Sequence, residues 1–186
     1  VKSERVRLTV LVEDRRTEMF VRRVLVARGV HPRNITFKVA PAGDGAAEAW
    51  VLRNYPSEVR ALRAKNYQHN LALVVVRDGD NVGVERRRQQ LDAELAAQGM
   101  MIRQPLERIA APVPTWAIEN WLLCLLDEPV DEAQCDAEGR PWKVVYERKY
   151  DNEGEPLERA ARRFVARDHA NDLPSLADGR TEFGRI

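Results

Sequence analysis

Two apolar runs that end on acids constrain this chain more than any other feature: Val10-Leu11-Val12-Glu13-Asp14 and Val74-Val75-Val76-Arg77-Asp78-Gly79-Asp80-Asn81. Branched aliphatic residues favour extended backbone, and an unbroken apolar run, unlike an alternating one, suits a strand covered on both faces. Such strands belong to parallel α/β sheets, whose ligands sit in the crevice beyond the carboxyl ends of the strands. The sequence therefore predicts an α/β fold with a mostly parallel central sheet flanked by helices. It also predicts Glu13, Asp78 and Asp80 along one edge of that sheet.

In an extended chain, side chains two positions apart point the same way, so Asp78 and Asp80 are expected to address one cation, with Gly79 turning the backbone between them. Oxygen-only donors suit Mg²⁺ or Mn²⁺. Magnesium takes few protein carboxylates and fills its other positions with water and phosphate oxygens, so three acids here suit a phosphate-handling site. The same residues also make turns and helix N-caps, and that reading stays open.

Along the chain, Val6 to Val12 reads as the first strand and Thr17 to Arg28 as a helix stopped by Gly29. Ile35, Phe37 and Val39 alternate as a second strand. Helical material from Ala46 to Asn54 and from Ser57 to Lys65 is expected to be split at Pro56. Leu71 to Val76 reads as the central strand, Val84 to Gln98 as an amphipathic helix, Arg108 to Val113 as a short strand and Ile118 to Leu126 as a buried helix. Residues 127 to 141 are acidic and broken by Pro129, Gly139 and Pro141, which suggests a solvated loop or hinge. The stretch from Trp142 to Tyr150 interleaves aromatic and basic residues, as a strand tracking single-stranded nucleic acid or a guarded edge strand would. Pro156 to His169 reads as a helix, and Asn171 to Ile186 as a tail of turns. The chain divides into an α/β domain over 1–126 and a C-terminal extension over 127–186 packed on it.

A strand ending in Glu and leading into a helix, followed by a later strand ending in Asp-x-Asp, resembles the Toprim domain of topoisomerases, primases and overcoming-lysogenisation-defect nucleases. A third fragment, Val113-Pro114-Thr115-Trp116-Ala117-Ile118-Glu119-Asn120-Trp121-Leu122-Leu123, resembles a segment of a small Toprim-like family encoded beside ATPases in defence or mobile-element settings. The three patches fall between residues 6 and 125. The resemblance implies a Toprim/Rossmann-like fold and Mg²⁺-dependent cleavage or nicking of nucleic acid, DNA rather than RNA. Asp78 and Asp80 would hold the metal, Glu13 would serve as ligand or acid–base group, and Glu119 would be a further catalytic acid. It also implies a separately encoded ATPase as partner, and a catalytically degenerate interaction subunit as the alternative. Toprim proteins usually carry Gly after the glutamate, where this chain has Asp14.

Composition narrows the remaining classes. Charged residues make up 32% of the chain, yet 30 basic and 29 acidic side chains nearly cancel, so overall charge does not indicate a nucleic-acid binder. Arginine predominates over lysine and clusters at Arg15-Arg16, Arg22-Arg23, Arg86-Arg87-Arg88 and Arg162-Arg163, where it suits phosphate or a solvated helix face. Gly43-Asp44-Gly45 lacks the lysine and hydroxyl of a P-loop and reads as an ordinary loop. His31, His69 and His169 lie scattered near element ends, Trp116 and Trp121 read as core anchors, and no tyrosine stands out as a nucleophile. Cys124 and Cys135 have neither zinc nor disulfide spacing, and no stretch approaches a membrane span. A cytoplasmic, membrane-free protein is the expectation.

Overall fold

The computed structural model describes residues 6–41, 47–65, 67–68, 70–80, 82–150, 154–166 and 172–186. Strands β1 (Arg7–Val12), β2 (Ile35–Val39), β3 (Leu71–Val75) and β4 (Ile109–Ala110) form an all-parallel sheet in the order β2-β1-β3-β4. Among the described residues seven helices surround it: α1 (Arg15–Ala27), α2 (Ala47–Arg63), α3 (Val84–Ala97), α4 (Ile118–Leu125), α5 (Trp142–Lys149), α6 (Gly154–Ala166) and α7 (Pro174–Phe183).

Strand alternation sorts the core into two layers. Leu8, Val10, Val12, Ala72, Val74, Val76 and Ala110 pack with α1, α4, α6 and α7, through Phe20, Val24, Leu122, Phe164 and Phe183. Leu11, Leu73, Val75 and Ile109 face the other way, onto Val51, Tyr55 and Val59 of α2 and Leu91 and Leu95 of α3. This two-sided burial is why the runs in β1 and β3 are continuously apolar. Phe164 of α6 meets Phe20 of α1 edge-on at 5.8 Å, so the C-terminal helices share the core of the sheet's α1 side.

Four local expectations are corrected. Helix α2 is continuous through Pro56. Proline removes the amide that would bond to Leu52, but Val51, Tyr55, Pro56 and Val59 are all buried, and this packing holds the helix together. Strand β4 is only two residues long, because Pro112 removes a ladder donor from the expected 108–113 strand and Pro114 follows directly after it. The Trp142 to Tyr150 stretch is helical: Trp142 and Tyr146, one turn apart, are both buried, and the Trp142 indole donates to the Ala133 carbonyl at 2.8 Å. The tail contains α7, with Pro174 in its first turn and Leu176, Gly179 and Phe183 buried. No helix among the described residues is long and apolar enough to cross a membrane.

Candidate acidic site

The chain leaves β1 for β2 on one side of the sheet and then returns to β3 on the other, so the order reverses between β1 and β3. A crevice opens at such a switch point, at the carboxyl ends of the strands. Leu11 pairs with Val75, and the Val76 amide donates to the Leu11 carbonyl at 2.9 Å, which sets Glu13 beside Arg77 immediately past the strand ends.

Alternation then divides the charged residues between the two faces. Glu13 and Arg77 continue the parity of Leu11 and Val75, toward α2 and α3. Arg77 is fully buried there: its Nε lies 3.4 Å from Glu13 Oε1, Nη2 bonds Glu48 of α2 at 3.0 Å, and Nη1 bonds Gln90 of α3 at 3.0 Å. Arg87 of α3, almost equally buried, bonds the same oxygen of Glu48 and reaches Asp80 at 2.7 Å. Glu13 is raised to about 7, chiefly by burial, which outweighs the pull of Arg77 and Arg87; Asp80 and Glu48 add to the rise. Its Oε1 is buried and accepts no hydrogen bond.

Asp78 has the opposite parity and belongs with the α1 and α4 side. Its carboxyl is held well above the ordinary aspartate range by burial and then by the charges of Glu119, Asp14, Glu13 and Asp80. It has no hydrogen-bond or ion-pair partner among the described residues. Asp14, where the resembled family has glycine, is in extended backbone at φ −145° and caps α1, accepting from the Thr17 amide at 2.9 Å and the Thr17 hydroxyl at 3.0 Å. A glycine's freedom is not needed at that position. Glu119, buried in the first turn of α4, is paired with Arg16 of α1, which also reaches Glu147 at 3.2 Å and lies over the Tyr146 ring. Glu119 thus has the basic partner that its burial requires, and it faces Asp78 electrostatically.

The Asp78-Gly79-Asp80 segment does not run extended as expected. The Gly79 amide donates to the Pro114 carbonyl and the Asp80 amide to the Trp116 carbonyl, each at 2.9 Å. A Cβ on Gly79 would stand 2.1 Å from the Thr115 carbonyl oxygen, so this glycine serves close backbone approach. The turn falls instead on Asp80, at φ +47°, which sends its half-exposed carboxylate to Arg87 and away from the Asp78 side. Asn81 lies outside the described residues. Accordingly, the acids share one edge of the sheet, but among the described residues no three His, Cys, Asp or Glu side chains converge closely enough to hold an ion in this arrangement.

Oxygen donors with one unpartnered carboxylate, Asp78, and one orphaned oxygen, Glu13 Oε1, suit a hard divalent cation that brings its own waters. Asp80 is committed to Arg87. Sequence reasoning named Arg16 and Arg87 only within arginine clusters suited to phosphate, and missed Arg77 and Glu48 as parts of the site. Strand parity could have paired Arg77 with Glu13, but nothing in the sequence marks Glu48.

The remaining candidates are structural. Trp116 donates to the Glu132 carbonyl at 2.9 Å and Trp121 to the Ser175 hydroxyl at 2.8 Å. His31 caps a short 3-10 turn by accepting from the Arg33 amide. Gly43-Asp44-Gly45, His69 and His169 lie outside the described residues. Of the arginine clusters, Arg88 bonds Asp178 and the Ala111 carbonyl, and Arg163 bonds the Leu125 carbonyl and Asp127, while Arg15 is largely exposed.

Fold and site define a class: a parallel α/β protein with acids and buried arginines gathered past the carboxyl ends of β1 and β3. In comparisons with known proteins, no family, no curated protein and no solved structure matches this chain.

Proposed function

We propose that this protein cleaves or nicks nucleic acid at the phosphodiester backbone with Mg²⁺ or Mn²⁺, using the crevice between β1 and β3. The observation that carries the reading is Asp78: an unpartnered carboxylate at a strand end, surrounded by the charges of Glu119, Asp14, Glu13 and Asp80. A carboxyl so placed keeps its proton to a higher pH, and a cation that takes the proton's place would relieve the same repulsion. Asp78 and Glu13 would hold the ion, which when bound would polarise the phosphate and offset the charge of the leaving oxygen. Glu13, near pH 7 in its proton affinity, is poised to exchange a proton. Arg16 pairs with Glu119 and holds its carboxylate in place. Arg77 fixes Glu13 from beneath and limits how far it swings.

A second reading has its own support. Arg77 and Arg87 engage Glu13, Glu48 and Asp80, and the acids do not close around a point. That favours a catalytically degenerate Toprim-like subunit that docks on nucleic acid or an ATPase. The two readings separate in one assay. Purified protein is incubated with supercoiled plasmid and Mn²⁺, alone and with any ATPase encoded beside it. Nicking that disappears in Asp78→Asn and Glu13→Gln supports the first reading; intact plasmid with retained binding supports the second.

A further inference from the structure

Two buried guanidinium groups converge on one carboxylate oxygen. Glu48 Oε1 accepts from Arg77 Nη2 at 3.0 Å and from Arg87 Nη1. The arginine side chains are 0% and 2% exposed, whereas that of Glu48 is 42% exposed, so Glu48 forms the solvent side of the pair. The arginines also hold more donors than the site satisfies: Arg87 Nε is buried without a hydrogen bond, and Arg77 Nε has only the long 3.4 Å ion pair to Glu13. Gln90 Oε1 is already shared between Arg77 Nη1 at 3.0 Å and Arg87 Nη1 at 3.3 Å. Like charges this close need an anion between them, and a planar fork of donors matches the several oxygens of a phosphate better than one carboxylate oxygen.

We propose that Arg77 and Arg87 form a seat for a phosphate group, and that the Glu48 carboxylate occupies this seat until a phosphate displaces it. Three placements support it. The pair lies past the ends of β1 and β3, where this topology receives ligands. Glu48 is in the first turn of α2, where helix amides also favour negative charge, so a departing carboxylate leaves an anion-attracting environment behind. Glu13 lies against Arg77, which puts a seated phosphate beside the candidate acid–base group. The seat rests on the phosphodiester reading only for the identity of its occupant, and it can be tested with no divalent ion present.

The experiment is a calorimetric titration of the full chain in EDTA, at ionic strength held constant with chloride, using orthophosphate and, separately, a thymidine dinucleotide joined by one phosphodiester. Removing the competing charge in Glu48→Gln keeps an acceptor oxygen and should tighten binding of at least one probe by roughly tenfold or more over wild type, the scale of one charge-assisted hydrogen bond. Adding Arg87→Met to that variant should abolish the gain. Uptake of the dinucleotide identifies the occupant as nucleic-acid backbone; uptake of orthophosphate alone identifies a free or terminal phosphate. Should the double variant fail to fold, the Nε–H resonances of the two buried arginines in Glu48→Gln provide the readout, and they should shift in a saturable way with the probe. Equal binding by wild type and Glu48→Gln, or arginine resonances that do not move, would overturn the seat. Loss of plasmid nicking alone would not, because the seat requires no metal.

Discussion

Glu13 shows how one residue carries opposing demands. Its folded proton affinity, raised from 4.5 to about 7, means that the folded protein holds a proton that the unfolded chain has already released. That contribution to stability is complete below about pH 4.5 and is lost as pH rises through about 7. Asp78 shifts in the same direction and adds to the trend. In chelator, Glu13→Gln should therefore be more stable than wild type at pH 8, by on the order of 2 kcal/mol, and no more stable at pH 4. Urea melts at the two pH values check this, and equal differences at both would contradict it. Gly79 is a second case. A methyl group there meets backbone oxygens that cannot rotate aside, so Gly79→Ala should cost about 1–3 kcal/mol in a denaturant melt. A substitution without effect would mean that the 114–116 segment is not held against Asp78-Gly79-Asp80.

Elements were legible in the sequence where a single period ruled them. The buried runs of β1 and β3, the apolar stripe of α1 and the amphipathic pattern of α3 all have local signals. Those elements fall within a residue or two of expectation. Misreadings cluster where tertiary contacts override local chemistry. Pro56 suggested a break that the packing of α2 does not permit, and Trp142 and Tyr146 were read at a strand's period when their spacing is that of a helix turn. Helix α7 contains Asp178 and Gly179, poor helix formers, but the Trp121 ring lies so close to Gly179 that a Cβ would meet its Cη2 at 2.3 Å. Gly179→Val should therefore lift α7 from α4. The expected outcome is a loss of about 1–3 kcal/mol and a red shift of tryptophan emission as Trp121 meets water. Unchanged emission and stability would show that this contact is not what docks α7.

At the scale of the whole molecule, the sequence placed the acids at one sheet edge but did not reveal their wiring. Strand ends carrying Glu13 and Asp78 could be found from apolar runs alone, since the parallel topology brings them to one crevice. What could not be read was which helices cover each face at that edge, so that Glu13 meets α2 and α3 while Asp78 turns toward α1 and α4. The left-handed turn at Asp80 was equally hidden, because it depends on the distant 114–116 backbone. Glu48 enters from a helix remote in sequence and has no local mark, while Arg87, seven residues past Asp80, stands out in the sequence only as part of an arginine cluster. The resulting two-sided site has arginines satisfying one side and, on the other, an Asp78 with no hydrogen-bond or ion-pair partner among the described residues. The account's central claim is that this imbalance serves a divalent cation, and titration with Mn²⁺ followed by electron paramagnetic resonance tests it most directly. Wild-type protein should deplete the free-ion signal saturably at neutral pH, and Asp78→Asn should leave that signal close to its protein-free intensity. Undiminished free Mn²⁺ with wild type, or equal depletion by Asp78→Asn, would contradict the claim.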